Sequence, residues 1–161
     1  MMRKALLLLS AIAVLTSCDS PYFYSEQKDF PQEFWAKNEA VVFSVPIKDT
    51  LSKNEVLINI RNNNHYPFSN LFLVSQIDYP NGRRVVDTLE YAMADKKGNW
   101  LGVGMTDIKE SELILKQGMD FPVPGVYRIE LRQVMRRLGE LETMAKLDGI
   151  VGVGISIEKN K

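Results

Sequence analysis

Apolar side chains recur at every second position through most of this chain. Val126–Arg132 is the cleanest case, with Tyr127, Ile129 and Leu131 alternating with Arg128, Glu130 and Arg132. Successive side chains on extended backbone point to opposite faces, so a period of two marks a strand with one buried face. The same pattern sets Val56, Ile58 and Ile60 against Leu57, Asn59 and Arg61, and Val85, Leu89 and Tyr91 against Val86 and Thr88. Ala40–Val45 is rich in β-branched and aromatic residues and ends at Pro46. Leu71–Ile77 is apolar on both faces, which predicts a place in mid-sheet. Further strands are expected over Trp100–Met105, Leu113–Leu115 and Val151–Ile157, and Phe34 and Trp35 are expected at a core edge.

Turn signals separate these runs at short intervals. They are Arg61–Pro67, Pro80-Asn81-Gly82, Asp95–Asn99, Pro122–Gly125 and Asp148-Gly149. Asn tolerates left-handed backbone and Pro fixes its own φ. Only Gln133–Lys146 hints at helical spacing, through Val134, Met135, Leu138 and Leu141, and Gly139 interrupts it. A short helix and a long loop both fit there. The expectation is an all-β fold, an antiparallel β-sandwich (immunoglobulin-like or jelly-roll) of about eight strands, with a closed barrel as the alternative.

The N-terminus reads differently. Met1–Lys4 is basic, and Ala5–Leu15 is apolar or small apart from Ser10. That run suits a signal h-region and falls short of the ~20 residues of a spanning helix. It closes on Leu15-Thr16-Ser17-Cys18, the form of a bacterial lipobox, and Cys18 is the only cysteine. Small residues before the cut fit a protease cleft, and the thiolate after it is the nucleophile that takes up lipid. Three parts are therefore expected: a leader over 1–17, a lipidated N-terminus and tether over 18–36, and the sandwich domain over 37–161. The sequence Asp19–Asp29 reads as a tether of about 36–40 Å when extended, with Tyr22-Phe23-Tyr24 either set at the membrane headgroup level or, the favoured reading, docked on the domain. No dense acidic run follows Cys18, which favours a body facing the periplasm.

Composition narrows the chemistry. Twenty basic residues balance 20 acidic ones, so nothing draws in nucleic acid. One cysteine excludes a disulfide within the chain. With Cys18 claimed by the lipobox and His65 alone, a zinc site has no ligands, and no cofactor is implied. Asp78, Asp87, Asp95, Asp107, Asp120 and Asp148 lack EF-hand spacing and serve turns and solubility. Gly102-Val103-Gly104 and Gly152-Val153-Gly154 lack the strand-to-helix setting of a phosphate loop, so they read as structural glycines. No nucleophile elbow is present. Two acids brought together in a cleft would be needed for a hydrolase, and an exposed aromatic strip for a sugar-binding module.

Several marked stretches resemble the gliding-motility lipoprotein GldH family of the Bacteroidota. They are Arg61-Asn62, Tyr66–Leu73, Asp87–Glu90, Gly98-Asn99-Trp100-Leu101-Gly102 with Gly104, and Phe121-Pro122. Gly125 with Tyr127, Met135-Arg136, and Leu147–Ile150 with Gly152 and Gly154 complete the set. The resemblance runs from about Asp49 to Glu158 and includes the lipobox. It implies a membrane-anchored, non-enzymatic component of the cell envelope that serves surface gliding and the type IX secretion apparatus. The partners so implied are envelope proteins of that apparatus, with the membrane held through lipid on Cys18. The turn at Arg61–Asn70 is unusually dense in Asn and aromatic residues. Arg61, Asn62, His65, Tyr66 and Asn70, with Trp100, are accordingly expected to form a partner-binding surface.

Overall fold

The computed structural model describes residues 22–160. The leader, Cys18 and the first residues after it lie outside them. Ten strands occur in chain order: β1 Tyr22–Asp29, β2 Phe34–Ala36, β3 Val41–Ile47, β4 Lys53–Asn62, β5 Asn70–Asp78, β6 Arg84–Ala92, β7 Lys109–Asp120, β8 Gly125–Gln133, β9 Lys146–Asp148 and β10 Ile150–Lys159. Among the described residues there is no helix, and so none long and apolar enough to cross a membrane.

All pairings are antiparallel, and they nest. β5 pairs with β6, β4 with β7, β3 with β8, and β1 with β10. The chain is one long hairpin folded at residues 79–83 and rolled up, so that successive lengths alternate between two sheets. The resulting orders are β1-β10-β4-β7 and β3-β8-β5-β6. Of the two expected sandwiches, this nesting is the jelly-roll. No backbone ladder joins the sheets into a barrel; side chains close the gap, Tyr91 Oη donating to the Ile114 carbonyl at 2.7 Å and Lys116 pairing with Asp87 at 2.7 Å.

The alternation expected from sequence makes the core. Val56, Ile58 and Ile60 of β4 and Val153, Ile155 and Ile157 of β10 face Phe43 and Val45 of β3, Leu71 and Leu73 of β5, and Tyr127, Ile129 and Leu131 of β8. Each is sealed from solvent, and each such burial is worth about 1.5–3 kcal/mol. The two short strands β2 and β9 pair with each other and cover one end of the core with Trp35 and Leu147. Trp35 donates to the Glu39 carbonyl at 2.8 Å, which satisfies its indole in the dry interior.

Three expectations change. Tyr22–Asp29 is not a tether with docked aromatics but a full strand, in register with β10 from Tyr22 opposite Glu158 to Asp29 opposite Gly152. Gly152 and Gly154 allow this: a Cβ on Gly154 would collide with the Gln27 side chain lying over it. Trp100–Met105 is not a strand. It touches its neighbours through single bridges, Ala94 to Trp100 and Val103 to Glu110. Leu113–Leu115 extends into the twelve-residue strand β7. Gln133–Lys146 resolves as a loop running from the last residue of β8 to the first of β9.

The roll sorts the connections to two ends. One end holds the start of β1, the connection 48–52, the turn 79–83 and the connection 121–124. The other holds residues 30–40, 63–69, 93–108 and 134–149. The long connections, and all six residues expected to bind a partner, are at this second end.

Candidate functional site

The turn after β4 is built by its asparagines. Asn63 Oδ1 accepts from the His65 amide at 2.9 Å, and the Tyr66 amide donates to the Asn63 carbonyl at 3.2 Å. This Asx turn, which Asn forms readily, swings Tyr66 inward. Its ring packs edge-on against Phe68 and tilted against Trp100, centroids 6.0 Å apart. Its hydroxyl donates to the Asn70 carbonyl at 2.5 Å, and burial pushes the phenol pKa up.

The six expected residues therefore divide. Asn62 and Tyr66 are buried and cannot meet a partner; the turn directs them into the protein. Arg61 sits half-exposed on the outer face of β4, with Nε 2.9 Å from Glu110 and NH1 3.5 Å from Asp29. The Glu110 hydrogen bond, above all, raises its pKa. His65 faces solvent, its Nδ1 4.0 Å from Glu33. Asn70 is half-exposed and donates to Glu90 at 2.9 Å rather than closing its own turn. Trp100 is half-buried, with its indole N–H on Asn64 Oδ1 at 3.0 Å.

A different group occupies the surface beside them. After Trp100, residues 101–108 run over the end of the sandwich and expose Leu101, Val103, Met105 and Ile108; Val103 is 77% and Met105 fully exposed. Gly102 and Gly104 let this segment lie against β7. A Cβ on Gly102 would stand 2.7 Å from Ser111 Oγ, and one on Gly104 would collide with the Ile108 carbonyl. The start of the segment is pinned: Asp95 accepts from the amides of Lys97 and Asn99 at 2.8 and 2.9 Å, and the Asn99 side chain, first among its partners, holds its pKa down. An open hollow of about 520 Å³ lies between the segment and the Asp29–Arg61–Glu110 cluster, with Phe30 and Val151 in its wall. On the opposite side, Leu101 and Leu113 line a second hollow of about 520 Å³. Leu101, Val103 and Met105 stand at the spacing of one strand face, and here that face meets water.

Asp29 and Glu110, the carboxylates on the first hollow closest to a shared group, are both tied to Arg61. Among the described residues, no group of three His, Cys, Asp or Glu is placed to hold a metal ion. Among those residues Phe23 is the most exposed aromatic, at 47%, and it lies at the other end.

Comparison with known proteins finds relatives over nearly the whole chain. The family model for the GldH lipoprotein matches residues 22–157. The gliding motility lipoprotein GldH of Flavobacterium johnsoniae is 42% identical over 157 residues, covering 98% of this chain and 96% of that protein. A gliding motility lipoprotein GldH homolog from Christiangramia forsetii is 40% identical over 149 residues, covering 92% of this chain and 91% of its own length. Among solved structures, one of infectious bursal disease virus (Gx strain) matches with a TM-score of 0.35 and 14% identity, over 84% of this chain and 30% of that one.

Proposed function

From the premise that the chain belongs to the GldH lipoprotein family, we propose that it is a lipid-anchored accessory of the gliding-motility and type IX secretion machinery that works by protein contact. The family places it in the cell envelope as a lipoprotein of gliding motility. The finer parts of the proposal are acylation at Cys18, a body facing the periplasm, and a non-enzymatic role. One observation carries the contact role: a pinned segment at the loop end holds Leu101, Val103, Met105 and Ile108 out in solvent. Apolar groups gathered at one place on a surface mark an interaction site, whereas scattered ones do not.

Deletion of the chain tests this when spreading and secreted proteins are scored separately. Loss of either is expected. A Cys18→Ala form should fail to restore the loss, because the loop surface would no longer be held at the membrane. Unchanged spreading and secretion in the deletion strain would refute the role.

A further inference from the structure

β1 begins at the end of the sandwich opposite the loop surface. β1 starts at Tyr22, beside Glu158 and the C-terminal end of β10, and runs away toward Asp29. In a chain cut before Cys18, the four residues Cys18–Pro21 precede it, and they reach about 14 Å at full extension. If Cys18 carries acyl chains, this end of the sandwich stays within about 14 Å of its bilayer.

The surface next to that exit is built to meet one. Leu51 is 93% exposed, and Phe23, one residue into β1, is 47% exposed. Phe23 lines a shallow hollow with Pro46, Lys48 and Lys159, so the 48–52 connection sits against the start of β1. That connection is held firmly. Asp49 accepts from the Leu51 amide at 3.0 Å, from the Ser52 amide at 3.3 Å and hydroxyl at 2.7 Å, and from Lys159 Nζ at 2.6 Å. A leucine fixed outward in this way contributes nothing to the core. Lys48 is exposed beside it and enters no ion pair among the described residues.

We propose that this end is a bilayer seat: Leu51 and Phe23 enter the headgroup–acyl boundary of the leaflet that holds Cys18, while Lys48 meets lipid phosphates. Apolar side chains gain free energy in that zone, and lysine stems lie along it with the ammonium at the phosphate level. A lipid on one residue leaves a body free to swivel, whereas a second contact fixes its direction. The loop end then points away from the membrane, raised by the length of the ten-residue strand β10, about 33 Å. This inference rests on the lipid-anchor reading and adds an orientation to it.

The test uses the full lipidated chain in vesicles of phosphatidylethanolamine and phosphatidylglycerol. Cys18 is the only native cysteine, so in the acylated chain an added cysteine is the sole free thiol. Leu51→Cys and Val103→Cys forms each receive a fluorophore, and quenching by nitroxide lipids is read after flotation. The expected result is several-fold stronger quenching at position 51 than at 103, with shallow nitroxides quenching best. A chain that does not float removes the anchor reading and the seat with it. A chain that floats with equal quenching at both positions, or stronger quenching at 103, overturns the seat alone. A label at 51 that is shielded from water yet unquenched assigns that end to contact with a second copy of this chain and likewise overturns it.

Discussion

Tyr22 Oη donates to Glu112 Oε1 at 2.7 Å across the full width of a sheet. Tyr22 lies on edge strand β1, Glu112 on the opposite edge strand β7, and β10 and β4 run between them. Beneath this strap the outer-face residues Leu57, Asn59 and Ser156 are buried although they point away from the core. The strap ties the first described turn of chain, where an anchor would pull, to the far side of the sheet.

Tyr22→Phe should therefore lower stability by about 1 kcal/mol, since the acceptor is charged but the bond is near solvent. The loss is to be read as a thermal midpoint lower by about 3–5 °C. The carboxylate bond, then desolvation, pushes the phenol from 10.0 up to about 12. A raised pKa means that the bond's contribution is whole below pH 10 and lost as pH climbs through about 12. The wild-type advantage over Tyr22→Phe should vanish in that window, and an advantage that persists above it would rule out the phenol as its source.

Gly149 holds φ at +78°, and a Cβ there would overlap the backbone nitrogen of Tyr66. Its own amide donates to the Glu33 carbonyl at 2.9 Å, and its carbonyl accepts from Asn63 at 2.9 Å, so neither side can give. Gly139 has a similar φ of +84° with open space around it. Gly139→Ala should cost about 1 kcal/mol, the left-handed penalty alone. Gly149→Ala should cost at least ~3 kcal/mol, because backbone must move as well. Urea midpoints of the two variants decide it; equal losses would mean that the loop end yields freely.

The difference between these glycines also shows what the sequence could tell. β8 was legible because its two faces are written at period two, and Tyr127, Ile129 and Leu131 are all sealed. β1 was not, because its fit depends on what β10 lacks: the room for Gln27 comes from Gly154. The turn after β4 was legible as a turn, yet nothing in its composition says which side chains face inward. Tyr66 turns in because Gly149 has no side chain to keep its backbone away. Trp100–Met105 carried the pattern of a strand, but among the described residues its neighbours offer it only two bridges, so its apolar side is left in water.

Glu130 lies on the outer face of β8 but is only 5% exposed, because Arg128 and Arg132 close over it at 2.5 Å each. Arg128 continues to Asp78, and Asp78 to Arg84 at 2.6 Å. Removing the carboxylate leaves two guanidinium groups that can still reach water. Glu130→Ala should cost about 1–2 kcal/mol rather than the 3–5 of a fully buried pair. Glu142, paired with Lys37 at 3.1 Å, has a side chain 87% exposed, and Glu142→Ala should stay within ~0.5 kcal/mol. Denaturant titration of both variants checks the contrast, and comparable losses would show that burial does not set the value of these pairs here.

Val103 and Met105 touch little of the fold, so a charge at either position has almost nothing to disturb in the isolated protein. A Val103→Asp, Met105→Asp double variant should keep its stability to within ~0.5 kcal/mol. At a contact surface the same change buries two carboxylates without partners, and loss of central apolar anchors commonly costs 2 kcal/mol or more of binding, about thirtyfold in affinity. The variant should be made and anchored at wild-type levels, yet fail to restore spreading or secretion to the deletion strain and lose its envelope crosslinks. Lys96→Ala, a solvent-facing change at the same end, controls for mere substitution there and should behave as wild type. A double variant that restores spreading and secretion in full would move the working surface away from this segment.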